Sequence, residues 1–205
     1  MITWSFRPRA HRSLAVGALL LALAGCETPG GAGGTNAGSA LTSARLARGA
    51  VTLVPPAGFC VDKRSLRASF AIMARCDTLG GTATYGAPLA VITAATVASA
   101  TSAAAGGSQD ETILSRRQLE TVTLLRVKGK PPSPDMRDEF WRAVGLVGDQ
   151  VIGLAIYEAA NGADLGELAP ELLVQTMHRT RAQTTAAAAA RQDNSATTAA
   201  KPTTN

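Results

Sequence analysis

Two apolar segments, 141–147 and 151–157, are separated by only Gly148, Asp149 and Gln150. Three residues are too few for a crossover, so the segments must lie side by side and antiparallel. The spacing predicts a β-hairpin with a glycine-containing turn. A lone hairpin is marginal in water, so further strands and a cover for its apolar face are required. Candidate strands are 51–54, rich in β-branched residues and stopped by Pro55-Pro56; 88–97, with Leu89, Val91, Ile92 and Val97; and 120–128, where Val122 and Leu124 alternate. The cover is expected from a helix opened by Pro170 and Glu171, in which Leu172, Leu173, Thr176 and Met177 share a face and Leu168 stands just ahead. Three more helices are expected. One spans 65–75, with Leu66, Phe70, Met73 and Ala74 at helical spacing. Another spans 109–117, behind a capping box of Ser108 and Glu111. The third is brief, with Ser133 as N-cap and Pro134 at its first position, and runs to Phe140.

At the other end of the chain, Arg7, Arg9 and Arg12 precede the apolar stretch 14–23, which runs into Leu23-Ala24-Gly25-Cys26. A basic segment, an apolar segment and small residues before a cut is the order of an export signal. Crossing hydrocarbon takes roughly 20 apolar residues, and this stretch is about half that, so cleavage is expected rather than spanning. Leu23-Ala24-Gly25-Cys26 resembles the lipobox of bacterial lipoproteins, and the resemblance covers residues 1–27. It implies diacylglycerol on the Cys26 thiol and cleavage between Gly25 and Cys26. It implies a bilayer partner held through the acylated Cys26, and a place in the cell envelope facing the periplasm. One acyl chain binds only marginally, at about 0.8 kcal/mol per buried methylene, so two or three chains are implied. In that family an Asp after the cysteine favours the inner membrane; Glu27 stands here, which implies the outer one. The body, from Pro56-Ala57-Gly58-Phe59-Cys60-Val61-Asp62 onward, is similar in layout to small exported lipoproteins, and that likeness implies no activity.

The expected organisation is a signal peptide at 1–25, a lipidated flexible tether at 26–45, one α+β domain at 46–182, and an alanine-rich helix extension with a disordered tail at 183–205. Residues 27–40 are Gly, Ala, Thr, Asn and Pro with almost no large side chain, and a chain so composed buries too little to offset its ordering entropy. A glycine-rich tether of about twenty residues spans about 25 Å. Ala186 to Ala190 extend the helix, and from Arg191 the composition is polar.

Removing the signal also removes Arg7, Arg9 and Arg12, leaving 17 basic against 15 acidic residues, a balance of +2 rather than +5. With that balance, 4% aromatic residues and no basic run interleaved with aromatics, no nucleic-acid partner is expected. Cys60 and Cys76 are the thiols left once Cys26 is acylated, and in an oxidising compartment such a pair bonds. Closing a loop of about 15 residues contributes about 3 kcal/mol through the unfolded state. The pair lacks Cys-x-x-Cys redox spacing and has no companions for a zinc site. The expected fold class is therefore α+β: a small, mostly antiparallel sheet of about four strands, a C-terminal amphipathic helix packed on one face, and one disulfide.

Catalytic candidates are few. His178 is the one imidazole outside the signal; it lies near the end of the last helix, beside Arg179 and Arg181, where a basic residue suits the dipole, and no Gly-x-Ser-x-Gly turn accompanies it. Asp135, Asp138 and Glu139 suit the first turn of a helix. Asp62 and Asp77 flank the two cysteines. Gly30 to Gly34 lacks the Lys-Ser/Thr of a phosphate loop, and Trp141, with Phe140 before it, reads as the core's aromatic anchor. No catalytic residue, metal or cofactor is expected. The function expected is non-enzymatic, a tethered domain that binds an envelope protein or has a structural role. The alternative is a periplasmic hydrolase built on carboxylates, or a small-ligand carrier. A deep pocket gathering Asp62, Asp77 or Glu158 would favour the alternative, and a flat apolar patch would favour protein binding.

Overall fold

The structure is a computed structural model that describes residues 38–82, 86–97 and 110–199, the side chains of 194–199 excepted. All of these lie in the unit Thr35–Asn205. Cys26, the signal segment, Gly30 to Gly34 and Ser108 lie outside the described residues.

The expected hairpin forms. Strands β9 (Glu139–Val147) and β10 (Gln150–Glu158) pair antiparallel from Val147↔Gln150 to Trp141↔Ile156, and Gly148, at φ 60°, turns the chain between them. The sheet built on it is twice the expected size. Together with β1 (Ala40–Leu41), β4 (Phe59–Asp62), β5 (Phe70–Arg75), β6 (Ala90–Val97), β7 (Thr112–Leu119) and β8 (Val122–Lys128), it runs in the order β1-β4-β5-β6-β10-β9-β8-β7, eight strands with every neighbour antiparallel. A second hairpin, β2 (Ala44–Leu46) with β3 (Val51–Leu53), forms its own two-stranded sheet.

An α+β sheet of about four strands is thus overturned, because segments read as helix or tether are strands. Residues 70–75 carry apolar side chains on both sides, as a strand between two partners needs: Ala71 and Met73 enter the core while Phe70 and Ile72 lie on the opposite face. The start of the expected helix is only the 3₁₀ turn Lys63–Ser65, capped by Asp62, which accepts the Arg64 N–H at 3.0 Å. Residues 112–119 form an edge strand exposed along its whole length, so no burial pattern marks it; the turn at Glu120 and Thr121 returns the chain into β8 at Leu119↔Val122. Ser133 makes one turn, to the Met136 N–H, and Phe140 joins β9, where its ring meets Tyr157 at 4.7 Å. At the tether's expected end, Leu41, Ala44 and Leu46 give residues 40–46 enough apolar surface to pair as strands.

Helix α1 (Leu168–Ala199) crosses one face of the sheet and continues past Arg191, where a tail was expected. Leu172, Leu173 and Met177 pack on Ile152, Leu154 and Ile156 of β10 and on Leu46, Val51 and Leu53 of the small hairpin. Gly145 permits the approach: a Cβ there would lie 2.8 Å from the Thr121 carbonyl oxygen and 3.4 Å from the Met177 Sδ. Two buried threonines lock the hairpin to the helix, since Thr52 N–H donates to Thr184 Oγ1 at 2.9 Å and Val54 N–H to Thr180 Oγ1 at 3.1 Å. Both would otherwise be unpaired donors on the outer edge of β3. The Cys60–Cys76 disulfide is present, with Cα atoms 4.8 Å apart, and joins β4 to the residue after β5. Trp141, expected as the core's anchor, sits at its margin with the Arg117 guanidinium 5.2 Å from its ring centroid.

Candidate functional site

Strand alternation sends every second residue away from the helix: Phe140, Arg142, Val144 and Leu146 on β9, Val151, Gly153, Ala155 and Tyr157 on β10, and Thr123, Leu125 and Val127 on β8. At one end this face is closed. Val127, Phe140, Ala155 and Tyr157 form a small apolar cluster with Met136, and Arg142 lies 5.2 Å above the Phe140 ring while bonding both Glu111 carboxylate oxygens at 2.6 and 2.7 Å.

At the other end the face opens into a groove of about 780 Å³ in which Leu125, Val144, Leu146 and Val151 lie among Arg116, Gln118, Glu120 and Thr123, with Arg181 and Thr185 of α1 reaching its border. Leu146 is 57% exposed there, although its neighbour Val147, on the helix side, is fully covered. Exposed apolar side chains on one side of a sheet, interspersed with polar groups such as Thr123 opposite Val144, make a surface of the kind that protein interfaces use. Arg181 braces this end from the helix, donating to the Leu146 carbonyl oxygen at 2.9 Å and to Thr121 Oγ1 at 2.8 Å.

A second cleft, of about 570 Å³, lies by the start of α1 and gathers Asp138, Glu139, Glu158, Asp164 and Glu167. Each is tied to a partner. Glu139 pairs with Arg126 at 2.9 Å, and Glu167 with Arg117 at 2.9 Å. Asp164 accepts the Gly166 N–H at 2.8 Å, and the buried Glu158 accepts the Leu165 N–H at 3.0 Å with Arg137 at 3.9 Å. Trp141 lines the same cleft, stacked under Arg117.

Asp62 and Asp77 stand on either side of the disulfide, each committed to an arginine two positions away. Asp62 takes both Nε and Nη2 of Arg64, at 3.1 and 3.2 Å, and Asp77 pairs in the same two-pronged way with Arg75. These guanidinium hydrogen bonds hold both carboxyls below the usual aspartate range, against a smaller opposing effect of burial. A carboxyl kept ionised in this way is no general acid. The structure therefore brings Glu158, Asp164 and Glu167 into one cleft and leaves Asp62 and Asp77 outside it. His178 is exposed on the outer side of α1. Asp135 is exposed beside the Ser133 turn, and Asp138 pairs with Lys128 at 3.3 Å.

Sequence reasoning missed the Arg142–Glu111 pair, whose two residues are remote in sequence and meet only through the pairing of three strands, β7, β8 and β9. It also missed Thr180 and Thr184. These were within reach, because they continue at four-residue spacing from Thr176 along the face of Leu172, Leu173 and Met177. Among the described residues no three His, Cys, Asp or Glu side chains are placed to hold a metal, and no helix is long and apolar enough to cross a membrane. Comparison with known protein families and with curated proteins finds no match to this chain.

Proposed function

We propose that this chain is a lipoprotein of the bacterial cell envelope, anchored through Cys26 and facing the periplasm, whose sheet domain binds an envelope protein through its helix-free face. The observation that carries the binding part is the contrast at one hairpin: Val147 is covered while Leu146, one residue away, lies 57% exposed in a groove beside Leu125, Val144 and Val151. A core that is closed by its own helix has no need of that second apolar surface, and exposing it costs solubility unless something covers it. Asp62, Asp77 and the five carboxylates of the second cleft argue against the hydrolase alternative, since each of these is held by an arginine, a lysine or a backbone N–H rather than set aside for proton transfer. The anchoring part rests on Leu23-Ala24-Gly25-Cys26 and the segment before it. Glu27 after the cysteine favours the outer membrane.

Two readouts on the full-length chain in cells test the two parts separately. Metabolic labelling with a palmitate analogue is expected in the parent and absent in Cys26→Ser; labelling that survives the substitution overturns the anchor. A protein that co-purifies with the solubilised parent is expected to be lost in Leu146→Asp and kept in Arg179→Ala. Loss in neither or in both overturns the groove as its site.

A further inference from the structure

The charges of the domain are unevenly placed. Between Gly38 and Ser69 the chain has five basic residues, Arg45, Arg48, Lys63, Arg64 and Arg67, against one acidic residue, Asp62. All five basic residues are exposed. Backbone hydrogen bonds gather them: Ala47 N–H donates to the Ala68 carbonyl oxygen at 2.7 Å, setting the Arg48 turn beside Arg67, and Leu66 N–H returns to the Lys63 carbonyl oxygen at 3.3 Å. Arg64 is paired with Asp62, which leaves these six residues with a net of four positive charges. Arg48 also sits where the backbone disfavours it. Its φ of 55° falls in the left-handed region, as does the 50° of Ala47, and a non-glycine residue there costs roughly 1–2 kcal/mol. Glycine or asparagine would serve the turn better, so the turn does not account for the arginine.

This patch lies where the anchor must enter. Lys63 N–H donates to the Ser39 carbonyl oxygen at 2.7 Å, so Lys63 is bonded to the first residues of the described chain. Cys26 precedes Ser39 by 13 residues, a stretch that spans at most about 45 Å however it runs. We infer that the surface formed by Arg45, Arg48, Lys63, Arg64 and Arg67 faces the membrane and binds anionic phospholipid headgroups. The inference rests on the lipoprotein reading for its orientation, and on charge and geometry for its chemistry. A lipid chain and a basic patch are complementary signals, and each arginine or lysine near an anionic surface strengthens attachment about fivefold. The groove at Leu146 lies on β9, separated from the patch by β5, β6 and β10 in the sheet order.

The test uses the full-length chain with Cys26→Ser, so that no acyl group contributes, and sedimentation with vesicles of phosphatidylglycerol and phosphatidylethanolamine. In that background Lys63→Glu/Arg67→Glu is compared with Lys130→Glu/Arg179→Glu, which makes the same change in net charge away from the patch. The patch variant is expected to lose at least tenfold in binding and the distant variant less than twofold, with no difference between them on pure phosphatidylcholine. Binding of the parent is expected to fall steeply from 0.05 to 0.3 M salt, a readout independent of how the variants fold. Equal loss in the two variants, salt-insensitive binding, or a patch dependence seen with soluble heparin and not with vesicles would overturn the inference. None of these depends on acylation, which palmitate labelling of the Cys26 chain reads separately.

Discussion

The two faces of the eight-stranded sheet are made from the same strands yet do different work. On the helix side, Ile152, Leu154 and Ile156 of β10 are covered by Leu172, Leu173 and Met177, and even the hydrogen bonds of the neighbouring hairpin are completed by helix threonines. On the opposite side, one half is closed by Phe140, Tyr157 and the Arg142–Glu111 pair, and the other half leaves Leu125, Val144 and Leu146 around a groove. The contrast separates stability from binding. A residue can be apolar, central and in a strand, and still contribute little to folding, if the face it occupies is the one the chain does not cover.

Substitutions on the covered face should have the largest effects. Leu173→Ala, at a fully buried contact between helix and sheet, is expected to cost about 3 kcal/mol in urea denaturation, because the cavity adds to the lost transfer energy. Cys60→Ser/Cys76→Ser should cost about as much, roughly 3 kcal/mol for a loop closed at a separation of 16 residues, with the reduced parent behaving the same way. Arg142→Met on the closed half of the other face should cost about 2 kcal/mol, since it strips the guanidinium from a Glu111 side chain that is only 8% exposed. Arg142→Met/Glu111→Leu should recover much of that. Smaller again is the acid limb. Asp62 and Asp77 have folded values below their unfolded ones, so their contribution is present above about pH 3.9 and is lost as pH falls through the folded values. Asp62→Asn/Asp77→Asn should lower stability near neutrality and flatten the fall below about pH 4, so that parent and variant converge in acid. The smallest effect is expected at Leu146→Ala, within about 0.5 kcal/mol, and a cost comparable to that of Leu173→Ala would erase the distinction between the faces.

What could be read in the sequence follows the same division. The β9–β10 hairpin, the β6 and β8 strands, the covering helix and the disulfide were legible because each has a local signature: a short glycine turn, alternation, a four-residue apolar stripe, an even cysteine pair. β5 was not, because Phe70, Met73 and Ala74 continue a helical spacing from Leu66 as well as they fill both faces of a central strand, and only its partners β4 and β6 decide between them. β7 was not, because an edge strand exposed throughout has no buried face to impose a pattern. Asp62 and Asp77 could be named but not paired with the arginines two residues away, and Glu111 and Glu167 meet arginines 31 and 50 residues distant, which no local pattern marks. The groove had no signature, because Leu125, Val144 and Leu146 read like any other core residues until the helix is seen to lie on the far side.

The central claim is that the helix-free face around Leu146 is where a partner sits, and site-specific photo-crosslinking in cells tests it most directly. A photoreactive residue is placed at Leu146 in one full-length chain and at Arg179, on the outer side of α1, in another. The account predicts a discrete protein adduct from position 146, lost when Leu125→Asp is added, and none from position 179. Adducts of equal yield from both positions, or from 179 alone, would contradict it.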